Sequence, residues 1–250
     1  AVNQELTFTF YEKIQKKYLT GSNNRFIHLH CNIYRRTMTM NYVTLENGVK
    51  MPQLGYGVYQ VTKEECERCV LDALKVGYRL FDTAQSYFNE EEVGNAIVKS
   101  GVSREEILDL MLLHQPFSDY YGAYRALEDL YDEGKIKAIG ISNFYPDRMV
   151  DLASFTRIKP MINQIEIHPY HQQVFSKEWH DKYGVQLEAW APFGEGRKNM
   201  FELSELKEIG DKYGKTVAQV ILRWHLQRGI VVIPKSTHLE RMKENFNVFD

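Results

Sequence analysis

Asp82, Tyr87 and His114 are the residues of this 250-residue chain whose types and settings best suit proton transfer. Asp82 ends the run Gly77-Tyr-Arg-Leu-Phe-Asp82, short and apolar enough for a buried strand that exits in a carboxylate. Tyr87 follows in a tight loop, and Leu112-Leu113-His114-Gln115-Pro116 repeats the design with an imidazole at the exit. A phenol with a reference pKa of about 10 keeps its proton at neutral pH and can give it to an oxygen that gains charge. An imidazole N–H can hold that oxygen in place. Each residue also has a plainer use: Asp82 as a turn residue, Tyr87 as one of 16 tyrosines in a core, His114 as a satisfied histidine at a strand end.

Short apolar runs alternate with amphipathic ones from Tyr42 onward, which predicts repeated βαβ units and a parallel sheet. A hairpin comes first, with Tyr42-Val-Thr-Leu and Val49-Lys-Met joined by Glu46-Asn47-Gly48. Seven strands follow, at 54–59, 78–82, 110–114, 138–142, 162–167, 187–191 and 230–234, one fewer than a closed (β/α)8 TIM barrel has. The glycines of Gly55-x-Gly57 permit close backbone approach. Thr62 is expected to cap a helix that buries Cys66, Cys69, Val70, Ala73 and Leu74 and ends at Gly77. Asn89 is expected to cap a second, with Glu90, Glu91 and Glu92 at its positive end and Gly101 closing it. Further helices are expected at 120–133, 146–155, 176–183, 203–213 and 216–227, and 239–246 begins a final one.

Composition sets the outer limits. A chain that is 44% hydrophobic and 26% charged, with net charge -2, has material for one sizeable core and no basic field for nucleic acid. No apolar run reaches the ~18 residues that cross a bilayer, and no secretory signal is evident. Three cysteines, an odd and sparse set, point to a reducing interior and so to the cytoplasm. Cys66-x-x-Cys69 falls at core-facing helical spacing, and His28-x-His30-Cys31 lacks a fourth ligand, so no metal is expected. Residues 1–41 are basic and aperiodic and read as an N-terminal extension, with 1–37 an appended segment; 42–250 is the domain. A monomer is the default expectation.

The motifs of residues 42–250, in order and at their spacings, resemble the aldo-keto reductase family. They are Gly55-x-Gly57, Phe81-Asp82-Thr83-Ala84 with Tyr87, Glu92-x-Gly94, Leu113-His114-Gln115-Pro116, Lys137-x-Ile-Gly140-Ile-Ser142-Asn143-Phe144, Asn163-Gln164-x-Glu166-x-His168-Pro169 and Ile233-Pro234-Lys235-Ser236. Within the family the chain looks similar to the bacterial small-carbonyl reductases, such as diketogluconate reductase and prostaglandin F synthase. The resemblance implies a (β/α)8 barrel with its site at the strand C-termini. It also implies a gap: Ile107 runs directly into Leu108, where relatives carry a third strand with the catalytic lysine and the helix after it. One βα unit is therefore expected to be missing, about 30 residues. The chain also stops at Asp250, short of the last helix and substrate loop expected from relatives.

The resemblance implies NADPH-dependent reduction of a small aldehyde or ketone. Tyr87 is the implied acid, Asp82 the anchor of a cation beside it, and His114 the donor that orients the carbonyl. Gly57, Ser142, Asn143 and Gln164 match cofactor positions, the last three at the nicotinamide carboxamide, and Trp190 matches the residue that stacks on the ring. Lys235, Ser236, Thr237 and Arg241 match the adenosine 2′-phosphate site, with Glu244 and Asn245 at adenine. Tyr56, Tyr59, Phe88 and Trp190 are expected to line an aromatic substrate pocket. Without the lysine, Asp82 is a buried carboxylate lacking its partner and Tyr87 lacks its perturber; Lys99 is a distant stand-in. Two alternatives stay open: a relative that binds NADP(H) without turnover, and a damaged gene product whose seven strands leave apolar edges unpaired.

Overall fold

The computed structural model describes residues 40–197 and 199–250. The expectations for His28, His30 and Cys31 fall outside the described residues. The hairpin forms as expected: β1 (Tyr42–Thr44) pairs antiparallel with β2 (Lys50–Pro52), and Gly48 takes the positive φ of 85° that the turn requires. The Asn47 side chain accepts from the Val49 amide at 3.1 Å and donates to the Lys137 carbonyl at 2.9 Å, which pins the hairpin to the chain entering a barrel strand.

Seven parallel strands follow: β3 (Tyr56–Gly57), β4 (Phe81–Asp82), β5 (Leu110–Leu113), β6 (Ala138–Ser142), β7 (Ile162–Glu166), β8 (Gln186–Trp190) and β9 (Val231–Val232). Strands β5 to β9 pair in sequence order. β3 pairs with β4, and Leu54 bridges to Val232, so the chain entering β3 joins β9. The whole is one curved sheet in the order β4-β3-β9-β8-β7-β6-β5. Gly140 on β6 is required by this curvature, since a Cβ there would sit 2.5 Å from the Ile162 carbonyl oxygen of the neighbouring strand.

Among the described residues, no backbone hydrogen bond joins β4 to β5. The sheet is open there, and the edge has the composition of a buried strand. Met111 is 47% exposed and Leu110, Leu112 and Leu113 are partly exposed, whereas every residue of β6 is buried. This is the unpaired apolar edge that seven strands predict. The open edge also explains why β4 is shorter than 78–82: with a neighbour on one side only, the run before Phe81 has no second partner to hold it extended. β3, β5, β7 and β9 likewise end inside the expected ranges.

The helices are α1 (Lys63–Val76), α2 (Glu90–Ser100), α3 (Tyr120–Asp132), α4 (Pro146–Phe155), α5 (Val174–Tyr183), α6 (Ser204–Tyr213), α7 (Val217–Gln227) and α8 (Leu239–Phe246). α1 buries the five predicted residues and stops at Gly77, φ 125°. Two caps differ from expectation. Thr62 makes no side-chain cap bond; its hydroxyl bonds the Glu64 carboxylate. Asn89 makes none either. Instead its buried amide donates to the carbonyls of Val58 and Val61 at 3.1 and 3.0 Å and accepts from the Thr83 hydroxyl at 3.1 Å. Asn89 thus clamps the exits of β3 and β4 together around the loop that carries Tyr87. After α2, a single 3-10 turn at Arg104–Glu106 and the buried Ile107 lead straight into β5.

Candidate active site

A cavity of about 920 Å³ opens at the C-terminal ends of the strands. All of the candidate residues line it: Gly57, Asp82, Tyr87, His114, Ser142, Asn143, Gln164, Trp190, Lys235, Ser236, Thr237, Arg241, Glu244 and Asn245. Residues more than a hundred positions apart converge because each stands where a parallel strand ends, and parallel strands end on one face.

At the floor, Gln164 donates from Nε2 to Asp82 Oδ1 at 2.8 Å. Among the described residues, no lysine or arginine pairs with Asp82. Burial therefore dominates and pushes its carboxyl up to about 6, against smaller opposing effects of the Gln164 bond and His114. Tyr87 sits at the end of a 3-10 turn, Gln85–Tyr87, with its ring 5.0 Å from Tyr59 and 6.3 Å, edge-on, from His114. Its phenol is raised above the ordinary value, by burial first and then by the negative charge of Asp82 and by Tyr59. Lys99 does not stand in as a cation: its ammonium pairs with Glu67 at 2.7 Å.

Beside this floor lies a polar cluster. Asn143, held at φ 64°, donates to the His114 carbonyl and to the Ser142 hydroxyl, each at 3.1 Å. Trp190 Nε1 donates to Asn143 Oδ1 at 2.9 Å, and Ser142 donates to the Gln164 carbonyl at 2.8 Å. The indole is fixed by its own N–H, which leaves a flat aromatic face for stacking.

The far arm follows β9. Exposed Lys235 precedes buried Ser236, whose hydroxyl accepts from the His238 amide at 3.1 Å and whose carbonyl accepts from the Tyr56 hydroxyl. Thr237 is anchored through its carbonyl by Arg68 at 3.3 Å. Arg241 is exposed on the first turns of α8, while Asn245 is buried and Glu244 accepts from the Thr216 hydroxyl at 2.6 Å. Among the described residues, neither Lys235 nor Arg241 has a carboxylate within ion-pair distance. Two cations without partners beside a helix start favour an anion.

The aromatic lining differs from expectation in two places. Tyr56 is buried behind the wall with its hydroxyl committed, and Phe88 is 74% exposed and outside the cavity. Phe193 and Phe201, 5.4 Å apart, line it together with Tyr59 and Trp190. A further residue escaped the sequence reading. Glu188 on β8 is 2% exposed and stands next to Gln164 in register. Its signal was a charged residue two positions from Trp190 in an apolar strand, hence on the same face.

The aldo/keto reductase family model matches the chain in two pieces, residues 47–108 and 106–250, which meet where β5 begins. The chain belongs to the aldo/keto reductase family. Methylglyoxal reductase DkgA of Escherichia coli (strain K12) is 39% identical over 240 residues, covering 83% of this chain and 87% of that protein. Glyoxal reductase of Bacillus subtilis (strain 168) is 41% identical over 247, covering 86% and 89%. An aldo/keto reductase crystal structure from Brucella melitensis superposes with a TM-score of 0.81 at 39% identity, covering 85% of this chain and 94% of that one. In the first comparison, 83% of 250 residues is about 208, some thirty fewer than the 240 aligned positions. The shortfall is the size of one βα unit, and the family match breaks at the open edge of the sheet. The fold is a (β/α)8 barrel of this family lacking its third βα unit.

Proposed function

We propose that the chain is an NADP(H)-dependent reductase of small aldehydes and ketones, with Tyr87 as proton donor. The observation that carries the reading is the cavity itself, which joins a phenol, an imidazole, an amide cluster beside an indole face and two unpaired cations in one space. The residues fit the cofactor: Lys235, Ser236, Thr237 and Arg241 would hold the 2′-phosphate, Glu244 and Asn245 the adenine, and Ser142, Asn143 and Gln164 the carboxamide over Gly57, with Trp190 against the ring. When bound, the reduced nicotinamide supplies the hydride. His114 donates to the carbonyl oxygen, and Tyr87 gives that oxygen its proton as charge arrives.

The two named relatives act, by name, on methylglyoxal and glyoxal, and the substrate proposed here is a dicarbonyl of that size. With no cation at Asp82, Tyr87 is a reluctant acid, and the rate is expected to fall by ~10²–10⁴ from that of a tuned general acid. A protein that binds the nucleotide without turnover is the competing reading, and the relatives' names do not favour it. The cofactor part is tested by titrating NADPH and NADH against the chain and against Arg241→Ala. NADPH should bind more tightly than NADH, and the variant should lose on the order of tenfold for NADPH while leaving NADH almost unchanged. Equal losses for both nucleotides would remove Arg241 from the phosphate site.

A further inference from the structure

Among the described residues, Glu188 is the buried acidic side chain beside the cavity that the proposed chemistry leaves unused. It projects from the middle of β8 on the face it shares with Trp190 and lies in register with Gln164 on β7. It is 2% exposed, and its Oε2 has no hydrogen-bond partner. Gln164 donates to Asp82 and stands beside Glu188 in register, so one amide lies between two carboxyl groups. Among the described residues, no cation reaches either acid in an ion pair. Among the described residues, the charge that acts on Glu188 is that of Asp82 on β4; β7 offers it the neutral Gln164 and β9 offers Val231. His114, Tyr87 and Lys235 face the same cavity but act on Asp82 or on the far arm.

Two carboxyl groups on either side of one amide, neither ion-paired to a cation, cannot both ionise at little cost, and the proton stays with Glu188, the more buried of the two. Raising the pH ionises Asp82 first, at about 6. Glu188 ionises against that charge, at about 8. Glu188 therefore sets whether the floor carries one negative charge or two.

We propose that Glu188 is a positioning residue that holds a proton through Gln164 and Asp82, and that releasing it shifts the cavity's preference from the neutral, reduced nicotinamide to the cationic, oxidised one. The inference rests on the nicotinamide reading given above. A second negative charge attracts the positive ring of NADP+ and does nothing for NADPH. It also opposes charge on the carbonyl oxygen, so reduction weakens as oxidised cofactor is retained.

The test measures the dissociation constants of both NADP+ and NADPH from about pH 5 to about pH 9, a range that spans both carboxyl groups. Their ratio cancels the titration of the phosphates, which the two nucleotides share. For the wild-type chain, the ratio should move toward NADP+ in two steps, the upper one on the order of tenfold. Glu188→Gln should lose the upper step and keep the lower, which belongs to Asp82. A second measurement needs no variant: near pH 8, NADP+ binding to the wild-type chain should release protons in calorimetry run in buffers of different ionisation enthalpy, and NADPH binding should not. A ratio flat above pH 7, an upper step that survives Glu188→Gln, or no proton release would each overturn the assignment of Glu188 while leaving the cofactor site standing. Failure of either nucleotide to bind would overturn both.

Discussion

Asp82 carries the consequence of the missing unit at the scale of a single residue. A carboxyl whose folded value lies above its unfolded one favours the native state in its protonated form. Its stability contribution is present in full below about pH 4, the unfolded value, and is lost as the pH rises through about 6. Glu188 extends the loss through about 8. The melting temperature should therefore fall between about pH 5 and about pH 8. Asp82→Asn keeps a carbonyl oxygen for Gln164 and removes the charge. It should flatten the lower part of that fall and stabilise the chain at neutral pH by on the order of 2 kcal/mol, read by circular dichroism melts across the pH series. It should also bring the Tyr87 titration, followed by ultraviolet absorbance, back toward the ordinary phenol value, because Asp82 is one cause of its rise. A variant that melts in parallel with the wild type at every pH would show that Asp82 is not a buried charge. That Asp82, Tyr87 and His114 are candidates for one site could be read from residue type and strand ends, and all three line one cavity. Glu188 could not, because an isolated Glu in an apolar strand looks like a solvent-facing position until register places it beside Gln164.

Elements explain why the site is assembled and where it is weak. The strand order, the helix face of α1, the stop at Gly101 and the bounds of α4 and α8 were legible because they rest on local periodicity and on glycine's access to positive φ. The caps were less legible: Asn89 has the right type for an N-cap, but tertiary partners at Val58, Val61 and Thr83 claim its amide. Strand lengths were over-read for a similar reason, since a strand extends only as far as it has neighbours. The facing edges of β4 and β5 define the defect physically: among the described residues no backbone hydrogen bond joins them, and Met111 is exposed there. Such an edge invites association with other chains. Inserting a βα unit of about 30 residues between Ile107 and Leu108 should raise the melting temperature and reduce binding of a hydrophobic dye. If the insertion changes neither, β4 and β5 are not free edges in solution.

Across the molecule, a barrel with one unit absent keeps the cavity because its walls come mainly from the intact run β6 to β9 and from the loops after β3 and β4. The proposed cofactor arm, from Ser142 through Trp190 to Asn245, lies on that intact side, and the proposed proton-donating arm, Asp82, Tyr87 and His114, lies at the break. Nucleotide binding should therefore be less impaired than chemistry. The most direct test is a single-turnover experiment in which NADPH is bound first, methylglyoxal is added, and nicotinamide absorbance is followed for the wild-type chain and for Tyr87→Phe. The wild type should oxidise its bound NADPH slowly but completely, and the variant should lose a further factor on the order of 10² with its NADPH affinity unchanged. Binding of NADPH with no oxidation by the wild type would rule out a working reductase, and equal rates in the two proteins would rule out Tyr87 as its proton donor.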